Sequence, residues 1–116
     1  MIEVALRTYL EENLDGIPVV MEQPKNPPDK FVLMRLVDGG QINHIDAATF
    51  FVDVRADNLY AAAELKEKVK KILFSATELN GITHSSIGGE RANTDSANHV
   101  YMYELTYNFY YYREET

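Results

Sequence analysis

The sequence contains neither cysteine nor tryptophan, and its apolar residues never form a long run. Without cysteine the chain has no disulfide, no thiol nucleophile and no cysteine-ligated zinc, which fits a reducing compartment. Because no stretch approaches the roughly 20 apolar residues that span a bilayer, we expect no membrane-spanning helix. The first residues lack the basic and apolar regions of a secretory signal, so we expect the protein to remain in the cell that makes it.

Basic residues are also scarce. Eleven lysines and arginines stand against eighteen acidic residues, which gives a formal net charge of −7. This balance opposes tight, non-specific binding to a phosphate backbone. It is compatible with a protein past which DNA slides without sticking, but an acidic balance is too common to identify a function.

The residues that are present have the composition of a globular protein. Hydrophobic residues make up 46% of the chain and charged residues 25%, which is close to the usual balance for folded domains. A chain of 116 residues is sufficient for one hydrophobic core. We therefore predict a single domain over residues 1–116.

Two amphipathic helices are predicted from apolar residues at helical spacing, over residues 2–14 and 59–77. Asp15-Gly16 is expected to end the first helix with a left-handed cap, and Asp57-Asn58 is expected to cap the start of the second. Acids precede bases by four residues on the exposed side of the second helix, which is the favourable orientation for ion pairs. The predicted pairs are Glu64 with Lys68 and Glu67 with Lys71.

Strands account for most of the remaining chain. Runs of β-prone or alternating residues occur at 19–22, 31–37, 44–55, 82–87 and 99–112. Asp38-Gly39-Gly40 is typical of a hairpin turn, and residues 88–98 are small and polar, which predicts an exposed loop. The order of elements predicts an α+β fold in which two helices pack on one face of an antiparallel-rich mixed sheet.

The sequence offers no motif for catalysis, cofactor binding or metal binding. His44, His84 and His99 lack the spacings that bring histidines together on a metal. His84 and Ser85 are adjacent on a strand and therefore point to opposite faces, and Gly88-Gly89 stands without the other residues of a phosphate-binding loop. We therefore expect no catalytic residue, no cofactor and no metal.

The tyrosines are the unusual component, because six of the eight lie between Tyr101 and Tyr112. Alternation places one set of them beneath the helices, whereas Tyr110 and Tyr112 have the opposite parity and are harder to bury in a monomer. The predicted hairpin is also apolar on both faces, so a monomer with helices on one face would expose the other. A partner subunit on that face is the simplest explanation. The tyrosines that this alternation places beneath the helices are Tyr101, Tyr103, Tyr107 and Tyr111.

Five segments share their pattern with a known protein family: residues 2–10 (IEVALRTYL), 17–24 (IPVVMEQP, with Pro27-Pro28 after it), 31–33 (FVL), 54–57 (VRAD) and 60–65 (YAAAEL). On these segments the chain resembles the tail terminator proteins of long-tailed bacteriophages and prophages, also described as tail completion or head-tail joining proteins. The likeness extends over most of the chain. It consists of a helix, a proline-bracketed strand and a hairpin, without catalytic signatures.

The resemblance implies a structural protein that forms a ring, typically a hexamer, which caps the finished tail tube and docks the head connector. The implied partners are further copies of the chain, the tail tube protein and the head connector protein. DNA would pass through the ring without specific binding, and no membrane is involved. The implied locations are the virion tail and, during assembly, the cytoplasm of the bacterial host.

By analogy with this family, two sets of contact residues are expected. Subunit contacts are placed on the exposed sheet face and the last tyrosines: Phe31, Leu33, Val37, Ile45, Phe51, Tyr110 and Tyr112. Contacts with the tail tube or the connector are placed on the hairpin tip, residues 38–43, and the loop 88–98: Asp38, Gly39, Gly40, Gln41, Asn43, Gly88, Gly89, Glu90, Arg91, Asn93 and Asp95.

Two alternatives stay open at the level of sequence. Another head-tail adaptor, such as a connector stopper, would share the small size and ring symmetry, and would bind portal-side adaptors rather than the tail tube. A small α+β ligand-binding or enzymatic domain would instead require a deep pocket with converging polar groups.

Overall fold

The computed structural model describes residues 2–42, 45–79 and 81–112, without the side chains of Ile42 and Ser96. Within these ranges the chain forms two α-helices, five strands and two short 3-10 turns. The helices are α1 (Ile2–Glu12) and α2 (Leu59–Phe74), and the turns are Ser75–Glu78 and Ser96–Asn98. The strands are β1 (Val19–Val20), β2 (Phe31–Ile42), β3 (Ile45–Ala56), β4 (Ile82–Ala92) and β5 (Tyr101–Tyr111).

The strands form a mixed sheet in the order β1-β2-β3-β5-β4. β1 is parallel to β2, and the other neighbours are antiparallel. Leu6 of α1 and Val69 of α2 pack on one face of this sheet, in a core that includes Phe50 and Phe109. The predicted α+β fold, with two helices on one face of an antiparallel-rich mixed sheet, is therefore confirmed.

Local signals in the sequence set the start of α2 and the turn after α1 as predicted, although α1 ends at Glu12 rather than residue 14 and α2 at Phe74 rather than residue 77. The side chain of Asn58 accepts a hydrogen bond from the Ala61 N–H at 2.8 Å and so caps the first turn of α2. After α1, Asp15 and Gly16 have φ angles of 39° and 86°, in the left-handed region that turns a chain away from a helix. Neither described helix is long and apolar enough to cross a bilayer.

The predicted hairpin turn at residues 38–40 is wrong, because β2 continues as a strand to Ile42. A register shift between Leu36 and Asp38 leaves Val37 as the extra residue of a β-bulge. Beyond the bulge the chain stays paired with β3, whose backbone hydrogen bonds outweigh the turn preference of the two glycines. Asp38, Gly39, Gly40 and Gln41 therefore lie in a strand, and Asn43 and His44 lie outside the described residues.

The predicted loop at 88–98 is wrong in its first half for a similar reason. β4 continues to Ala92, so Gly88, Gly89, Glu90 and Arg91 belong to a strand paired with β5. β5 is long enough to provide partners along this whole stretch. The loop that joins the two strands therefore begins at Asn93 rather than at Gly88.

The predicted ion pairs on α2 are also replaced by others. Glu67 lies 3.6 Å from both Lys66 and Lys70, and Lys70 lies 2.9 Å from Glu90 on β4. Within the described ranges neither Lys68 nor Lys71 has a carboxylate within salt-bridge distance. Glu90 draws the lysines of the sheet-facing side of α2 toward β4, which the sequence spacing within α2 does not reveal.

Candidate assembly surface

The sheet face on which no helix packs exposes fewer apolar side chains than its sequence predicts. Phe31 and Leu33 are only 3% and 5% exposed, so the chain itself buries them. The guanidinium of Arg55 lies 5.5 Å from the ring centre of Phe31, and its Nε donates to the Met102 sulfur at 3.2 Å. A cation over an aromatic face is favourable, and the arginine stem shields the ring from water.

A charged cluster occupies the middle of this face and links four strands, β2, β3, β4 and β5. Arg35 lies 3.4 Å from Asp53 and 3.6 Å from Glu104, and Arg91 lies 3.3 Å from Glu104. The guanidinium of Arg35 also covers the ring of Phe51 at 5.5 Å. Two arginines thus balance two carboxylates that are cross-strand neighbours, a placement that is unfavourable without such partners.

Asp53 is the buried member of this cluster. Its Oδ1 has no hydrogen-bond partner among the described residues, while Oδ2 accepts from Arg35 at 3.4 Å. Burial raises the pKa of Asp53, and the neighbouring Glu104 carboxyl acts in the same direction. The Arg35 guanidinium opposes both effects. The cluster therefore carries a carboxylate that is costly to keep ionised.

Exposed apolar side chains lie instead along the edges and at one end of the sheet. Leu36 and Val37 are on β2, Ile87 is on β4, and Tyr110 and Tyr112 are at the end of the last strand. The Tyr110 ring stands 5.4 Å from that of His84 on the neighbouring strand. Three predicted interface residues, Val37, Tyr110 and Tyr112, are thus exposed, whereas Ile45 and Phe51 are half-buried.

Both edges of the sheet are open over most of their length. β1 pairs with β2 only at Val32 and Leu33, so the rest of β2 has no outer neighbour among the described strands. β4 forms the opposite edge. An edge strand presents a row of unpaired N–H and C=O groups that can pair with another chain. The molecule therefore offers two such rows, one on each side.

The open edge at β4 is held against α2 by a compact set of charges. Glu90 pairs with both Lys66 and Lys70, and the Lys66 ammonium lies 4.4 Å from the ring centre of Tyr103. Hydrogen bonds from the two lysines lower the pKa of Glu90, and the same bonds raise the pKa of each lysine. These contacts tie β4 to α2 and engage the Glu90 carboxylate within the chain, while its role as a contact residue stays a prediction.

The remaining loop, residues 93–100, is closed by its own hydrogen bonds. Asp95 and Val100 exchange two backbone bonds of 2.7 and 2.8 Å, and the Asp95 carboxylate accepts from the Asn98 side chain at 2.6 Å. This hydrogen bond lowers the pKa of Asp95. Asn93 and Asp95 are exposed, so this loop presents polar groups in a defined shape.

The outer side of α2 carries two exposed rings that the sequence patterns did not single out. Tyr60 is 78% exposed and Phe74 is 76% exposed. Both lie outside the apolar stripe of α2. An aromatic residue outside that stripe is the sequence signal that would have identified them. Exposed aromatic rings of this size are unusual on a free surface and are typical of protein contacts.

The structure has a cavity of about 300 Å³ at the end of the sheet opposite the β2–β3 connection. It is lined by residues that include Pro27, Pro28, Arg55 and His99, and His99 has a left-handed φ of 55°. The cavity is not the deep pocket between helices and sheet that a ligand-binding domain would use. Across the described parts of the chain, no three metal-ligating side chains converge.

Comparison with known proteins identifies a shared fold but no matching family model. No family model matches the sequence, and no curated protein shows significant similarity to it. Among solved structures, the chain is similar to one from the virion of a native gene transfer agent particle. The TM-score is 0.67 at 15% sequence identity, and the match covers 94% of this chain and 96% of that one. The two chains therefore share their fold over nearly their whole lengths.

Proposed function

We propose that this protein is a structural subunit of a virion, and that its copies form a ring that caps the tail tube and joins it to the head connector. The fold shared with a virion chain over 94% of this sequence is the observation that carries the proposal. The resemblance of five sequence segments to tail terminator proteins supports the same role independently of the fold.

The two predicted contact regions lie at opposite ends of the sheet, which suits a protein that joins two partners. Asp38 to Gln41 lead toward the end where β2 meets β3. The loop of residues 93–100 lies at the other end, where β4 meets β5 and where β3 ends at Ala56. The molecule measures 47 Å along its longest axis. One end can therefore contact the tail tube while the other contacts the connector.

Contacts between subunits are assigned to the exposed members of the predicted set, with Val37, Tyr110 and Tyr112 foremost. Phe31 and Leu33 are left out of the assignment because the chain already buries them. The net charge of −7 supports a ring through which DNA moves, because a surface of the same sign as the phosphates repels them.

Electron microscopy of labelled protein on tail tubes tests this function. The chain would be gold-labelled through an added terminal tag, mixed with tail tubes of the source particle, and imaged by negative stain. We expect label at one end of each tube and none along its shaft. A matched sample in which tubes are already joined to heads should take up no label.

Other outcomes would contradict the proposal and identify its rivals. Label along the shaft would indicate a tube component, and label on isolated head connectors but not on tubes would indicate a connector stopper. Absence of label from both would remove the joining role and redirect attention to the cavity at the end of the sheet.

A further inference from the structure

The two open edges of the sheet carry matching side chains at the same level. Leu36 on β2 is paired with Phe50 on β3, and Phe50 is paired with Tyr107 on β5. Tyr107 is in turn paired with Ile87 on β4. These four residues form one row across the helix-bearing face. The two inner members are buried, whereas Leu36 and Ile87, at the two ends of the row, are 46% and 43% exposed.

We propose that neighbouring copies in the ring join edge to edge, with β4 of one copy paired to β2 of the next and Ile87 packed against Leu36. The inference rests on the ring of the proposed function and specifies the contact that closes it. The occupant of each open edge is thus a second copy of this chain.

Strand direction permits this pairing. β2 and β5 run one way, and β3 and β4 run the other, because each neighbouring pair from β2 to β4 is antiparallel. If a second copy continues the sheet without reversal, its β2 lies antiparallel to β4 of the first copy. An antiparallel ladder between residues 82–87 of β4 and the part of β2 from Leu36 onward, which β1 leaves open, then satisfies unpaired backbone groups of both strands. A head-to-tail contact of this kind closes into a ring when its rotation divides a full turn.

The edges also lack some of the usual protection against such pairing. Natural edge strands often carry lysine or proline to discourage contact with another strand, and neither residue occurs in β2 or β4. Register shifts lie next to Leu36 on one edge and next to Ile87 on the other. A β-bulge bends its strand and by itself discourages edge pairing, but here both edges bend at the same level of the sheet, so the bend of one copy faces the matching bend of the next.

A second copy accounts for these features better than a different protein would. A single foreign strand would cover one edge and leave the other open, with its exposed aliphatic side chain still in water. When the row of one copy continues into the row of the next, Ile87 and Leu36 bury each other at every junction. The same contact thus removes both exposed side chains from solvent.

Disulfide trapping tests the contact, because the chain has no cysteine of its own. The variants are Leu36→Cys, Ile87→Cys and the double variant, oxidised mildly after assembly on tail tubes. Within one copy the two sites are three strand spacings apart, roughly 14 Å at the usual strand separation, so no bond can form within the chain. We expect the double variant to give a reducible ladder of covalent oligomers, and each single variant alone to give none.

The matched control is the double variant Leu36→Cys with Thr83→Cys, because Thr83 is exposed on the same strand but four residues from Ile87. It should give no ladder.

A dimer from Ile87→Cys alone would overturn the inference in favour of a two-fold contact, and cross-linking of either cysteine to tube protein would overturn it in favour of a different occupant. Rings on tube ends with no ladder would overturn edge pairing while leaving the proposed function intact, whereas wild-type protein that never binds tubes would overturn both.

Discussion

At the scale of residues, Asp53 is a carboxylate that the sheet buries beside an arginine side chain. Its carboxylate is buried beside Glu104, and only one of its oxygens has a hydrogen-bond partner among the described residues. Burial raises its pKa from the ordinary value of 3.8, with Glu104 adding to that shift and Arg35 and Arg55 opposing it. The folded state therefore binds this proton more readily than the unfolded state does.

The sign of the resulting pH dependence follows from that difference. Between the unfolded pKa and the raised folded pKa, the folded protein holds more protons than the unfolded protein, so the contribution of Asp53 to stability falls as pH rises. Asp53→Asn removes this titration. We expect the stability of the variant relative to wild type to increase with pH from below 3.8 through that window, and then to level off.

Urea unfolding at a series of pH values measures this difference. Asp38→Asn is the control, because it removes one exposed carboxylate from the same sheet and so reports the general effect of a lost charge. A relative stability of Asp53→Asn that stays flat or decreases across the window would contradict the assignment.

Some residue roles could be predicted from sequence and others could not. The cap at Asn58 and the left-handed turn at Asp15-Gly16 depend on local chemistry that a short window contains. The charged cluster around Asp53 could not be predicted, because it brings together residues from four strands that the fold, rather than the local sequence, places side by side. Burial of Phe31 depends in the same way on Arg55, which lies on another strand.

At the scale of elements, β4 is the strand on which the proposed edge pairing depends most. Gly88 packs so closely that an added Cβ would lie 2.8 Å from Nδ2 of Asn108. Asn108 cannot move away freely, because its Oδ1 accepts a hydrogen bond from Thr49 at 2.8 Å. At Gly89 the nearest atom to an added Cβ is 4.0 Å away. Neighbouring glycines on one strand thus meet different constraints.

We expect Gly88→Ala to destabilise the protein by about 1–2 kcal/mol, the usual range for moderate overpacking. Gly89→Ala is the matched control and should be neutral, or stabilising by up to about 1 kcal/mol, because alanine reduces the freedom of the unfolded chain. The free energy of unfolding from urea titrations gives both values. Equal effects at the two positions would show that the contact with Asn108 does not limit this strand.

The sequence predicted the existence of the elements better than their ends. Apolar periodicity is strong in both helices and in the middle of each long strand, so these were found. The ends of β2 and β4 were missed because Gly39-Gly40 and Gly88-Gly89 are typical of turns, whereas pairing with the adjacent long strands keeps them extended. Local preference at a glycine pair says nothing about a ladder formed with a distant segment.

At the scale of the whole molecule, the features combine into a subunit with two contact ends and two open edges. In the proposed function, the two ends contact the tail tube and the connector, and the edges contact neighbouring copies. The fold class could be predicted from the order of elements, but the strand order could not, because the position of β5 between β3 and β4 depends on pairing between distant segments. The proposed ring function rests on this arrangement together with the fold shared with a virion chain.

Counting the copies bound to each tail tube tests the ring cap most directly. A single cysteine introduced at Glu64, an exposed position on α2, would carry one dye, and photobleaching steps would be counted on tubes of two lengths. A ring cap predicts the same small, fixed number of copies at one end of every tube, whatever its length. A number that grows in proportion to tube length, or no binding at all, would contradict it.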